Sequence, residues 1–117
     1  VNTVLERMID DMPAGLDRAI LRVLSFHQGK DNAISRGRLV GDLHQHGFKV
    51  HERVMRACIN ELRKAGHLIC STGGEGGGYY LPADWEELDE YILHELRPRA
   101  MDLLEQEKSL RAEAEKR

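Results

Sequence analysis

The chain has 117 residues, 41% of them hydrophobic and only 5% aromatic, which suits one small domain with a modest aliphatic core and an appended element. Its net charge of −3 argues weakly against a nucleic-acid partner, but the charge is unevenly spread. Residues 36–64 carry seven Lys/Arg against three Asp/Glu, a net of +4, whereas residues 82–117 carry six against eleven, a net of −5. No apolar run reaches bilayer length and no signal-peptide pattern opens the sequence, so the expectation is a cytoplasmic protein with no membrane partner. Cys58 and Cys70 lie within apolar patterns and read as buried thiols of a reducing compartment rather than a disulfide framework.

In chain order, residues 1–12 form an N-terminal extension. Val4, Leu5, Met8, Ile9 and Met12 have helical spacing, but a segment this short must pack on the domain or on a partner to persist. Residues 13–82 form the domain. Pro13 suits a first helical turn, and the apolar face of Leu16, Ala19, Ile20, Val23, Leu24 and His27 predicts a buried helix from Ala14 to Gln28, ended by Gly29. Ala33 and Ile34 form a short extended piece. Ser35 is a good N-cap for a helix from Arg36 to His46, with Leu39, Val40 and Leu43 facing inward. Gly47 to Val50 has the length of the turn in a helix-turn-helix, with Phe48 and Val50 plugging the space beneath it.

The segment from His51 to Gly66 is the centre of the chain. At about 100° per residue, Val54, Met55, Cys58, Ile59, Leu62 and Ala65 fall on one side. Arg53, Arg56, Asn60, Arg63 and Lys64 fall on the other, interrupted only by Ala57. An apolar back and a cationic front suit a helix that meets phosphates and base edges, although such residues are also ordinary on a solvated face. Next, His67–Ser71 and Gly78–Leu81 read as two strands of a small hairpin around the glycine-rich tip Thr72 to Gly77. Tyr79 and Tyr80 are expected to pack in the hairpin, with Tyr80 a candidate exposed partner contact.

Residues 83–117 read as a helical tail capped by Asp84, with Glu86 and Glu87 in its acidic first turn. Trp85, Leu88 and Ile92 are expected to dock on the domain, and Pro98 predicts a break or kink just before it. Leu93, Leu96, Ala100, Leu103, Glu107, Leu110 and Ala114 alternate spacings of three and four, a heptad seam with Glu107 out of character. Glu105 with Lys108, and Glu113 with Arg117, stand at helical-neighbour spacing. A second copy or the domain must hold so polar a tail.

The expected fold is therefore mainly α with a small β-hairpin and an extended C-terminal helix. Its order resembles the winged helix-turn-helix, most closely the DNA-binding domain of the biotin-ligase repressors and related small bacterial winged-helix proteins. The resemblance runs from Leu16 to Pro82. It rests on Ser35 onward, on Met55, Ile59, Leu62 and Ile69, on Leu62-Arg63-Lys64-Ala65-Gly66, and on Gly77-Gly78-Tyr79-Tyr80-Leu81-Pro82. It implies that the second helix of the motif enters the major groove, with Arg53, Arg56 and Asn60 at base edges and His51 and Arg63 near the backbone. It also implies phosphate contacts from Arg36 and Arg38. The wing departs from the pattern: many wings carry a cation, whereas this tip carries Glu75 among glycines, and whether it meets DNA stays open.

Sharper chemistry finds little support. The glycine run lacks the Lys-Ser/Thr of a P-loop and precedes a strand rather than a helix, so no nucleotide cofactor is expected. His44, His46 and His51 cluster in sequence without a completing Cys or carboxylate, so a structural or surface role is expected and no metal. Cys58 falls on the buried side, where a thiol is usually inert, and no catalytic residues or enzyme activity are expected. Two readings follow. One is a sequence-specific double-stranded DNA binder, a transcriptional regulator forming a homodimer through the C-terminal helix. The alternative is a non-enzymatic protein-interaction adaptor.

Overall fold

A short helix, α1 (Thr3–Asp11), leads into three amphipathic helices that share one aliphatic core: α2 (Leu16–Leu24), α3 (Arg36–Gln45) and α4 (Glu52–Lys64). The structure, a computed structural model, describes residues 3–73 and 77–117; the expectation placed on Glu75 lies outside the described residues. Ile9 from α1, Ile20, Leu21 and Leu24 from α2, Leu39 and Leu43 from α3, and Met55 and Ile59 from α4 have almost no exposed surface. The N-terminal segment thus packs on the domain through Ile9, flanked by Leu5 and Met12. At about 25 cal/mol per Å² of buried apolar surface, this cluster is the main force holding the three helices together.

Local signals set the helix ends. The Ser35 hydroxyl accepts a hydrogen bond from the Arg38 N–H at 3.2 Å and starts α3. Both α3 and α4 end on a left-handed glycine, Gly47 at φ 90° and Gly66 at φ 97°. The next N–H closes each end: Phe48 donates to the Leu43 carbonyl at 2.9 Å and His67 to the Leu62 carbonyl at 3.0 Å, the six-to-one bond of a Schellman cap. Phe48 and Val50 then pack against the core under the α3–α4 turn.

Helix α2 is shorter than its periodicity predicts. After Leu24 the Ser25 hydroxyl donates back to the Arg22 carbonyl at 2.6 Å, and the backbone from His27 to Gly29 leaves the helix. It pairs instead with Leu81, whose N–H donates to the His27 carbonyl at 3.0 Å and whose carbonyl accepts from the Gly29 N–H at 2.7 Å. Long-range pairing wins over local helical preference here because it satisfies backbone groups that burial would otherwise strand.

The hairpin is part of a three-stranded antiparallel sheet in the order β1-β3-β2, with β1 (Ile34–Ser35), β2 (Cys70–Ser71) and β3 (Gly78–Tyr80). Ile34 faces Tyr79 and Ser35 faces Gly78 across one ladder, and Cys70 faces Tyr80 across the other. Gly78 is there because a Cβ at that position would overlap the Ile34 carbonyl. The strand expected from His67 narrows to two residues, and Leu68 is exposed. Tyr80 is 2% exposed and packs with Cys70 and Tyr91, so it is not available as a surface partner contact.

Asp84 caps α5 (Trp85–Tyr91), accepting from the Glu87 N–H at 2.8 Å. Trp85 does not dock: it is 73% exposed, and Ile92 is also exposed. Leu88 and Tyr91 carry the contact with the domain instead. A π turn, Ile92–Leu96, joins α5 to α6 (Arg97–Glu115) without interrupting the helix. In this turn the Arg97 N–H reaches back five residues to the Ile92 carbonyl, widening the backbone just ahead of Pro98, whose ring would crowd an α-helical carbonyl four residues back. The anticipated break is therefore a wide turn, and the regular three-four spacing holds only from α6 onward. Every side chain from 97 to 117 is exposed, and the molecule extends to 55 Å along its longest axis. The tail ion pairs are Glu107–Arg111 at 3.0 Å and Glu113–Lys116 at 3.5 Å rather than the pairs expected from spacing. Among the described residues no helix is long and apolar enough to cross a membrane.

Candidate functional site

Helix α4 turns Met55, Ile59 and Leu62 into the core, and this fixes which residues look outward. Arg53, Arg56, Ala57, Asn60 and Lys64 are all exposed along one row. The row from Arg53 to Lys64 spans about 16 Å at 1.5 Å per residue. Val54, predicted on the apolar side, is 50% exposed because it stands at the margin of the buried stripe; Ala65 is exposed as well. Cys58 is half-buried, with its thiol donating to the Asp17 carboxylate at 2.7 Å.

The start of α3 comes beside the start of α4. One Glu52 oxygen lies 3.5 Å from Arg36 Nε and 3.9 Å from Arg56 Nε, so a single carboxylate gathers two guanidinium groups from different helices. Surface pairs of this kind contribute no more than about 1 kcal/mol, so they orient the guanidiniums more than they stabilise the fold. The i,i+4 spacing of Glu52 and Arg56 is legible in the sequence; the approach of Arg36 is not. Tyr79 lies beneath this patch. Burial raises its phenol pKa, opposed by the nearby cations Arg63, Arg36 and Arg56. Arg38 and His51 are exposed at the first turns of α3 and α4. Among the described residues, the side chains of Arg38, His51, Arg53 and Asn60 make no hydrogen bond or ion pair.

Arg63 behaves differently from its neighbours. Its Nε–H donates to the Ile69 carbonyl at 2.8 Å and a terminal N–H donates to the Ser71 hydroxyl at 3.2 Å. Its guanidinium carbon lies 5.8 Å from the centre of the Tyr79 ring and 5.6 Å from that of Tyr91. The side chain thus ties α4 to the sheet and to α5, and does not join the exposed row. Tyr91, absent from the predicted docking residues, is buried, and its hydroxyl has no hydrogen-bond partner among the described residues.

His44 and His46 serve local structure. His44 Nε2 lies 3.1 Å from the Val50 carbonyl, and His46 Nδ1 lies 2.7 Å from the Asp42 carbonyl. Among the described residues no group of three His, Cys, Asp or Glu side chains is placed to hold a metal ion. Burial raises the Cys58 thiol pKa to about 12, helped by its bond to Asp17, and raises that of Cys70 to about 11. Thiols so protonated are poor nucleophiles at neutral pH. A groove of about 300 Å³ opens behind α4, lined by Leu5, Met8, Leu21, Leu68, Leu81 and Pro82, with Gln28 and His67 at its polar points. No family model, curated protein or solved structure matches the chain.

Proposed function

We propose that the domain is a winged helix-turn-helix that binds double-stranded DNA and acts as a transcriptional regulator. Helices α3 and α4 form the helix-turn-helix, α4 is the recognition helix, and β2 and β3 form the wing. The observation that carries this reading is the outward row of α4: Arg53, Arg56, Asn60 and Lys64 are exposed on a helix whose opposite face is locked into the core. The row matches the chemistry of a duplex. Arg pairs with guanine O6 and N7, Asn with the adenine edge, and a helix fits the major groove, about 12 Å wide. Arg36, Arg38 and His51 flank the row and face backbone phosphates, while Arg63 is left out because its guanidinium is engaged inside the domain.

The tail joins two copies. Its exposed leucines need cover, and a pair of recognition helices about 34 Å apart meets successive major grooves. Selection of bound duplexes from a random pool, followed by gel shift of the winners, tests the reading. A recovered consensus whose binding falls in Arg53→Ala supports it. A pool that never enriches removes it. The adaptor reading draws on the apolar groove beside Leu68 and Met8, and a protein that passes through heparin at low salt would favour it over DNA.

A further inference from the structure

The two arginines of the outward row differ in one respect: Arg56 is held and Arg53 is not. The Glu52 carboxylate, one turn back on α4, lies 3.9 Å from Arg56 Nε, and the same oxygen lies 3.5 Å from Arg36 Nε at the start of α3. Among the described residues Arg53 makes no such ion pair. We infer that Glu52 is a positioning residue for base readout: it fixes Arg56 on one guanine and makes that base pair the strict position of the DNA site, while the pair facing Arg53 stays tolerant. This rests on the duplex-binding reading above and adds to it which contact carries the discrimination.

The side from which the carboxylate approaches is what matters. It meets both guanidiniums at Nε. The two terminal NH2 groups of Arg56 therefore stay open, and among the described residues nothing else bonds them. Those groups are the fork that spans guanine O6 and N7. A held arginine has less side-chain freedom to lose on binding. It also cannot swing to a phosphate or a thymine O4 when guanine is replaced, so the wrong base leaves its donors unpaired. A duplex closing over the patch excludes water, and the modest surface attraction between Glu52 and its two cations strengthens there. The same carboxylate works against affinity, because it faces the phosphates that the arginines attract. Arg36, Glu52 and Arg56 together carry +1, where the two arginines alone would carry +2. Sequence-independent attraction is given up for discrimination.

Fluorescence anisotropy on the selected duplex and its single-base variants tests the inference, with an unselected duplex as reference. Arg56→Ala locates the base pair that Arg56 faces, as the position where discrimination is lost. At that position Glu52→Gln should lower the preference for guanine roughly fivefold, with no loss at the position facing Arg53. Binding to the unselected duplex should become tighter, because a negative charge has left the neighbourhood of the phosphates. In an Arg56→Ala background Glu52→Gln should cost no further discrimination, since the carboxylate acts through that guanidinium. Three results would each overturn the inference: a Glu52→Gln protein that discriminates as the wild type does, one that loses affinity for both duplexes by the same factor, or one that shifts base preference even without Arg56. In all three the DNA-binding reading stands, whereas a pool yielding no consensus removes it and the inference together.

Discussion

Replacing Arg63 with alanine should cost the fold heavily and spare the duplex-binding face. The side chain makes two hydrogen bonds, to the Ile69 carbonyl at 2.8 Å and the Ser71 hydroxyl at 3.2 Å, and stacks near two tyrosine rings. A charge-assisted bond in a half-buried setting contributes about 1 kcal/mol, and each ring contact about 0.5 kcal/mol. The sum is about 3 kcal/mol, a fall in melting temperature of roughly 10 °C for a domain of this size. Arg53→Ala, exposed and unbonded, should stay within about 0.5 kcal/mol of the wild type. Arg63→Lys keeps the charge but not the fork and should regain less than half of the loss. Urea unfolding followed by far-ultraviolet circular dichroism measures this; Trp85 is too exposed to serve as the reporter. An Arg63→Ala protein that loses less than about 1 kcal/mol while its duplex affinity collapses would show that the guanidinium works at the surface.

Two further outcomes follow from the packing. Gly78→Ala puts a methyl group into the Ile34 carbonyl, so β1 and β3 must separate; the variant should lose more than about 2 kcal/mol in the same urea assay, and wild-type stability would contradict the β1–β3 register. The thiols of Cys58 and Cys70 have folded pKa values raised to about 12 and about 11 from 9.0. A raised folded pKa means that their contribution is fully present below pH 9 and is lost as pH rises towards 11 and 12. Stability should fall across that alkaline window, and native alkylation at pH 8 should be slow beside that of the protein in urea; rapid native labelling of Cys58 would contradict its placement.

The sequence was most legible where one helix faced one core. The buried positions Met55, Ile59 and Leu62 followed from helical spacing alone, as did the exposed front of Arg53, Arg56 and Asn60. Ser35, Asp84, Gly47 and Gly66 announced their helix ends because capping is local chemistry. Long-range choices were not legible. Strands of two and three residues leave no period to read, so the pairing of Ile34 with Tyr79 was hidden. The end of α2 depends on Leu81, more than fifty residues later in the chain. Trp85 and Tyr91 exchanged roles because the docking contact belongs to the Leu88–Tyr91 side of α5, which only the position of the sheet decides. Arg63 looked like its exposed neighbours because both tyrosines that hold it are distant in sequence.

The exposed row of α4 carries the functional account, and its most direct test is the salt dependence of duplex binding by fluorescence anisotropy, wild type against Arg53→Ala. With Arg36 and Arg38 of both copies meeting phosphates, the logarithm of affinity should fall linearly with the logarithm of salt at a slope of about −4. Arg53→Ala should lower affinity at the selected site by about 1–3 kcal/mol if it reads a base, with its folding unchanged. Binding that ignores salt, or an Arg53→Ala protein that binds as the wild type does, would contradict a nucleic-acid role for this face.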